Sequence, residues 1–399
     1  MSLVLPSSSA ALDHGLSRKS QFLLASGAGL SVASIYYSQP MLSIMGDSFH
    51  TGVTETGLVP TLTQLGYAAG ILFLTPLGDR YDRRRLILLK GLLLTATLLL
   101  CSLTGTFSML LLTSLALGLA ATVAQDIIPA AAALATDRQR GKTVGTVMTG
   151  LLAGILLSRV VSGAVADWFG WRSLYAGAAL GVLLITLAMW QTLPRFTPAS
   201  RLSYPALLRS LGQLWLQHAP LRRAALAQGL LSVAFSAFWS TLALMLAARF
   251  HLGAASAGAF GLAGAAGALA APIAGAIADR RGPNQVTRIG SALVMVSFAL
   301  MFIMPLLSPP AQLAVIVISA IGFDLGLQAT LIAHQTLVYS LDPAARSRLN
   351  AVMFTVVFIG MASGAALGSQ AFACAGWNGV VALATLAAAG GLIIRLRSH

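Results

Sequence analysis

Apolar stretches of twenty or so residues recur from one end of the chain to the other, and no other feature constrains its fold as strongly. Each is long enough to carry a helix across a hydrocarbon core about 30 Å thick. No water reaches the backbone in lipid, so an open-ended segment there must be a helix, which bonds its own peptide groups. A transmembrane barrel would instead show ten-residue segments of alternating polarity. Charged residues make up only 9% of the chain and hydrophobic ones 57%, too few charges to dress an ordinary water-facing surface. The first stretch begins near Gln21, runs past twenty residues and has no convincing cleavage site. It reads as a retained helix rather than a signal peptide. Cys101 and Cys374 lie in or beside apolar segments, as packing residues and not a disulfide framework.

Helices are expected at 21–46, 56–77, 86–104, 108–135, 143–166, 172–193, 223–249, 256–278, 286–307, 311–338, 348–371 and 376–394. Twelve crossings put both termini on one side, and 22 of the 25 basic residues fall on that side, Lys90 among them. Only Arg172 and Arg249 lie on the other, and Arg159 lies inside a helix. Such asymmetry marks the terminal side as cytoplasmic. It also accounts for a net charge of +14 without nucleic acid, since basic loops meet anionic headgroups. The expected organisation is a cytoplasmic tail at 1–20, a six-helix bundle at 21–193, a cytoplasmic linker at 194–222 and a second bundle at 223–399. The location expected is a bacterial inner membrane.

A short element recurs in the two halves. After the second helix the chain reads Pro76-Leu77-Gly78-Asp79-Arg80-Tyr81-Asp82-Arg83-Arg84-Arg85, and after the eighth Gly275-Ala276-Ile277-Ala278-Asp279-Arg280-Arg281-Gly282. The two Asp-Arg pairs stand half a chain apart, as in transporters built from parallel repeats. With its helix count and central linker, the chain resembles the major facilitator superfamily over its whole length, most nearly the drug/proton antiporter-like branch. The second loop keeps Gly275, Asp279, Arg280 and Gly282 of the superfamily's Gly-x-x-x-Asp-Arg-x-Gly-Arg-Arg pattern. The first keeps Asp79, Arg80, Arg83 and Arg84, with Thr75 and Asp82 at the glycine positions. Ile35-Tyr36-Tyr37-Ser38-Gln39-Pro40 is similar to a stretch in a group of bacterial members. The loops are expected to work as latches: a carboxylate at one helix end and arginines on the next bridge two helices until the cytoplasmic side opens.

Asp126 and Asp324 lie inside the fourth and tenth predicted helices, which occupy matching positions in the two halves and, by the resemblance, line a central cavity. A charge near the bilayer centre costs at least about 2.5 kcal/mol, so these acids are expected to face a partner or water. At 1.5 Å per residue Asp126 lies about 16 Å and Arg159 about 24 Å from the cytoplasmic ends of their helices. An Asp126–Arg159 gating pair is therefore expected, leaving Asp324, without a nearby cation, as the proton carrier. Further candidates for the cavity are Tyr36, Tyr37, Gln39, Gln64, Gln125, Gln228, Trp239, Gln328, His334 and Asn350. Gly145, Gly150, Gly154 and Gly163 should give the fifth helix a small-residue face for close packing.

Drug exporters of the superfamily carry Gly-Pro-x-x-Gly-Gly in the fifth helix. Here the stretch is Gly154-Ile155-Leu156-Leu157-Ser158-Arg159, without the proline and the glycine pair. The function expected is secondary transport of a small organic molecule, proton-coupled and outward. Proton symport of a sugar or organic acid, or a non-transporting sensor or scaffold, are the alternatives. The sequence has no metal-ligand cluster, nucleotide-binding loop or nucleophile motif, so neither an enzyme nor a cofactor is expected. The partners expected are substrate, protons and lipid, with a monomeric protein.

Overall fold

The computed structural model describes residues 17–136, 139–197, 202–264, 277, 280, 282–342 and 345–397, and every element among them is helical. Among the described residues nine helices are apolar and long enough to cross a membrane: Val53–Arg80, Arg83–Leu103, Phe107–Leu134, Arg140–Phe169, Trp171–Thr192, Ala219–Phe250, Pro283–Leu306, Pro309–Tyr339 and Arg346–Leu396. The last of these is two helices. Its backbone leaves helical conformation at Ala375 and Gly376, and Gly360 and Gly391 both pack on the 227–231 region of Ala219–Phe250, so the chain doubles back between them. Arg18–Ala33 and Ser38–Phe49 form another span through a turn at 34–37. Ala254–Gly264 begins the helix expected at 256–278, whose remainder lies outside the described residues. In chain order these make twelve segments, here the first to twelfth spans, and their described ends lie within a few residues of the expectation.

The segment at 194–222 is more than a connector. It holds a helix, Tyr204–Gln217, whose Leu207, Leu211 and Leu214 are buried at helical spacing, the stripe by which an amphipathic helix docks. Tyr204 also donates its hydroxyl to the Phe73 carbonyl at 2.8 Å, pinning the helix to the second span.

Local rules repeat in the two halves. The first and seventh spans end in Phe49-His50-Thr51-Gly52 and Phe250-His251-Leu252-Gly253, and each histidine takes the left-handed conformation that closes a helix, with φ of 54°. The fifth and eleventh spans turn into the next at Gly170-Trp171 and Gly376-Trp377. The glycines have φ of 80° and 58°, a conformation that side-chain-bearing residues rarely adopt. Both tryptophans are buried. The crossings match too: a Cβ on Gly154 would collide with the Gly29 carbonyl, joining the fifth span to the first, and one on Gly360 with the Gly229 carbonyl, joining the eleventh to the seventh. Large apolar side chains such as Leu89, Leu112, Phe169 and Leu386 stay exposed on the outside, as lipid contact requires.

The fifth span's glycines divide by this geometry. Gly150 and Gly154 meet the first span and Gly163 meets the eighth at Ala254, while Gly145 has nothing within 4 Å and is no part of a packing face. Gly154→Val should push two helices apart and destabilise by roughly 1–3 kcal/mol. Gly145→Val should stay within about 0.5 kcal/mol of the parent. Unfolding titrations of the two purified variants in detergent measure both, and equal losses would contradict this packing.

Candidate functional site

Arg159, two-thirds of the way along the fifth span, is 3% exposed. Its Nε donates to Gln39 Oε1 on the first span at 2.9 Å. Three rings surround the guanidinium carbon, with centroids at 4.3 Å for Trp239, 5.0 Å for Tyr36 and 5.5 Å for Phe235. A desolvated guanidinium is stabilised by such ring faces. Tyr36 belongs to the first span and the other two rings to the seventh, so the arginine of one half is held by side chains of both.

Asp324 on the tenth span is 4% exposed and sits in a notch of the eighth. A Cβ on Gly264 would stand 2.8 Å from its Oδ2, and one on Gly261, a turn earlier, 2.9 Å from Arg159 Cβ. The eighth span thus passes the acid and the base with glycines at both. Among the described residues Arg159 and Asp324 form no ion pair with each other. Asp324 Oδ2, Arg159 Nη2, Gln39 Nε2, Ser38 Oγ, Ser240 Oγ and Trp239 Nε1 are all buried with no hydrogen-bond partner. An unmade buried hydrogen bond costs about 1–3 kcal/mol, so this concentration of them is itself a feature of the site. A small cavity at the Arg159 end of this group is lined by Gln39, Pro40, Arg159, Trp239, Leu242, Ala243 and Ala257. Behind Trp239 an aromatic group runs to the tenth and ninth spans, with Phe323 at 6.3 Å from Trp239 and stacked on Phe298 at 4.6 Å.

The expected Asp126–Arg159 pair does not form. Asp126 Oδ2 is 2.6 Å from Lys90 Nζ, and both side chains are buried. Lys90 is the eighth residue of the third span, not a loop anchor, and its four-carbon stem carries the ammonium inward to the fourth span. The other Asp126 oxygen faces Gly78, where a Cβ would stand 2.9 Å away. Around it, Arg83 Nη2 binds Asp79 at 3.0 Å and Arg83 Nε binds the Gly78 carbonyl at 3.0 Å. Asp82 caps the third span at Arg84 N and also accepts from Phe196 N, while Arg84 reaches the Trp190 carbonyl at 2.6 Å. Arg80 is half-buried, at 3.5 Å from the Leu202 carbonyl. In the second loop Arg280 is exposed and Gly282, with φ of 79°, opens the ninth span, whereas Gly275 and Asp279 lie outside the described residues.

The remaining candidates divide. Tyr36 faces Arg159, whereas its neighbour Tyr37 packs on Tyr175 of the sixth span at 6.4 Å. Gln64 accepts from Ser236 at 3.1 Å, a hydrogen bond between the two halves. Gln125 donates to Tyr67 at 3.1 Å, and the Tyr67 ring lies 4.4 Å from Phe358 of the eleventh span. His334 and Gln228 share a hydrogen bond of 2.8 Å between the tenth and seventh spans. Asn350 accepts from Tyr339 at 2.7 Å and Gln335 at 3.3 Å, which pins the tenth span to the eleventh. Gln328 is half-buried, one turn along the tenth span from Asp324. Asp167, not singled out in the sequence, accepts from Ala254 N at 2.9 Å and Ala255 N at 2.8 Å. An acid at the end of the fifth span thereby caps the eighth, in the other half, a job usually done by a residue's own helix.

The description Major Facilitator Superfamily fits residues 24–365. A protein of Escherichia coli O157:H7 named uncharacterized transporter YgaY is 39% identical over 94% of both chains. Among solved structures, a bacterial homologue of the human lysosomal transporter Spinster, inward-facing and occupied, superposes with TM-score 0.75 at 17% identity, covering 95% of this chain and 96% of that one. A mutant of the nucleoside transporter NupG gives TM-score 0.75 at 14% identity over 94% and 98%. At these identities the two structures establish the fold.

The Lys90–Asp126 pair makes a graded prediction. Lys90→Met and Asp126→Asn should each cost about 3–5 kcal/mol, because each strands a buried charge, and the double variant should recover most of that loss. A double-mutant cycle on unfolding free energies reads the coupling. Additive losses would mean the two groups are independent.

Proposed function

The chain belongs to the major facilitator superfamily, and on that premise we propose that it carries a small organic molecule across the membrane by alternating access, exporting it against protons. One observation carries this reading: a cation and an acid, Arg159 and Asp324, are buried between the halves with unfilled hydrogen-bonding capacity. Ionisable groups in such positions are expensive and are retained for transport, relay or gating. Asp324 is the proton carrier in this proposal. Arg159 is the group whose partner changes with the load. Asp79, Arg83 and Asp126 form the latch on the side of the termini.

The transport unit comprises the bundles 21–193 and 223–399, with 194–222 as the cytoplasmic linker. The basic loops argue for a cytoplasmic terminal side in a bacterial inner membrane. Alternating access needs contacts that break on one side at a time. The Asp167 cap on Ala254 and Ala255 is such a contact away from the termini, and the docking of Tyr204 on Phe73 is one near the linker. A substrate or proton that binds one arrangement better shifts the population between them.

Purified protein in liposomes with an imposed pH gradient and a labelled panel of organic acids, amino acids, sugars and organic cations tests the proposal. Gradient-driven flux of at least one panel member is expected. Asp324→Asn should abolish the gradient dependence while leaving counterflow exchange of the same compound. Gradient-driven flux that survives Asp324→Asn would remove Asp324 from coupling, and accumulation in right-side-out vesicles would make the protein a symporter.

A further inference from the structure

Resting on the reading of the Arg159–Asp324 cluster as the transport site, we propose that the substrate is a small organic carboxylate bearing a hydrogen-bond donor, an amino or hydroxy acid, its carboxylate on Arg159 and its donor on Asp324. Arginine suits a carboxylate because its planar fork presents parallel N–H groups at carboxylate spacing. In this structure Nε is already committed to Gln39 Oε1, and Nη2 is buried and unpartnered. The free end of the fork is therefore the part offered to a ligand. Trp239, Tyr36 and Phe235 hold the guanidinium by its faces, which leaves the edge, where a carboxylate binds, unobstructed by protein hydrogen bonds at Nη2.

The opposite end of the site is chosen by the acid. Asp324 Oδ2 has no partner and is an acceptor when ionised, so it takes an ammonium or hydroxyl. A ligand carrying both groups completes both side chains at once, and an uncharged isostere leaves Arg159 short of an acceptor. Size is set by the walls. Ala243 and Ala257 line the cavity with Pro40 and Leu242, and Gly261 and Gly264 bring the eighth span hard against both charged side chains. In the arrangement seen here the cavity has room for about one water molecule, so a ligand enters only as the spans part, and walls this close select against bulk. Bulky hydrophobic cations, the usual cargo of broad drug exporters, fit neither the arginine nor the space.

Thermal unfolding of the purified full-length protein in detergent tests the class, since a ligand that binds the folded state raises its midpoint. Alanine, serine, lactate and glycine are compared at millimolar concentration with alaninamide, ethanolamine and lactate methyl ester, and ribose and tetraphenylphosphonium serve as controls. A raised midpoint is expected with at least one acid and none with its amide, ester or decarboxylated partner. Arg159→Gln should lose the shift, and Asp324→Asn should keep carboxylate dependence while losing preference among donors. The acid-against-amide comparison on the parent protein needs no variant to fold. Stabilisation by amides or esters equal to that by acids, a shift that survives Arg159→Gln, or no shift with any acid overturns the class. Counterflow in liposomes separates this failure from failure of the transport reading. If acids do not bind but ribose or the phosphonium is exchanged, transport stands and the carboxylate class falls. If acids bind but are not exchanged, the ligand class stands and transport falls.

Discussion

A guanidinium and a carboxyl group buried between two helical bundles set the terms for the rest of this molecule. Neither is tolerated in hydrocarbon without compensation, and the surroundings supply that compensation incompletely. Arg159 is braced by Gln39 and three rings, and Asp324 by a notch that only glycine leaves open. Residues from the first, fifth, seventh, eighth and tenth spans are needed to build this one place. The packing of those spans follows from it: small residues at the first–fifth crossing and along the eighth span let backbones approach until polar side chains of opposite halves meet.

Duplication supplies the frame on which these charges sit. The Phe-His-x-Gly ends of the first and seventh spans and the Gly-Trp turns after the fifth and eleventh repeat in sequence and in backbone angle. The acids Asp126 and Asp324 repeat with the frame, in the fourth and tenth spans, but the buried base does not. The fifth span carries Arg159 within it, whereas the eleventh has no base between Arg348 and its turn at Gly376. A symmetric scaffold with asymmetric charge is what a carrier needs if its two halves are to respond differently to one load.

The spans and their order were legible because hydropathy integrates over twenty residues and tolerates local error. The two buried acids were legible because a charge among leucines is conspicuous. Partnership was not. Lys90 stood near a run of arginines and was counted with them, although its side chain is long enough to point inward and reach Asp126. Tyr36 and Tyr37 looked equivalent, yet adjacent residues on a turn face different directions, and only the first meets Arg159. Asp167 gave no signal, because it caps a helix 87 positions away and its role exists only when the two halves touch. Pattern along the chain predicts elements, whereas pairing depends on how those elements rotate against one another.

Satisfaction is what sorts the buried charges by role. Asp126 has its lysine at 2.6 Å, and the Asp79–Arg83 pair lies beside it. That group is closed upon itself and joins the second, third and fourth spans as one body. At the other extreme Asp324 and Arg159 lie near each other, unpaired, among side chains whose own donors and acceptors are unused. If the central charges served only to hold the halves together, pairing them directly would leave fewer buried groups unsatisfied. On the proposed reading, holding them apart keeps both groups available to a load. The same chemistry that makes the Lys90–Asp126 pair a fastening then makes the unpaired groups a receptor.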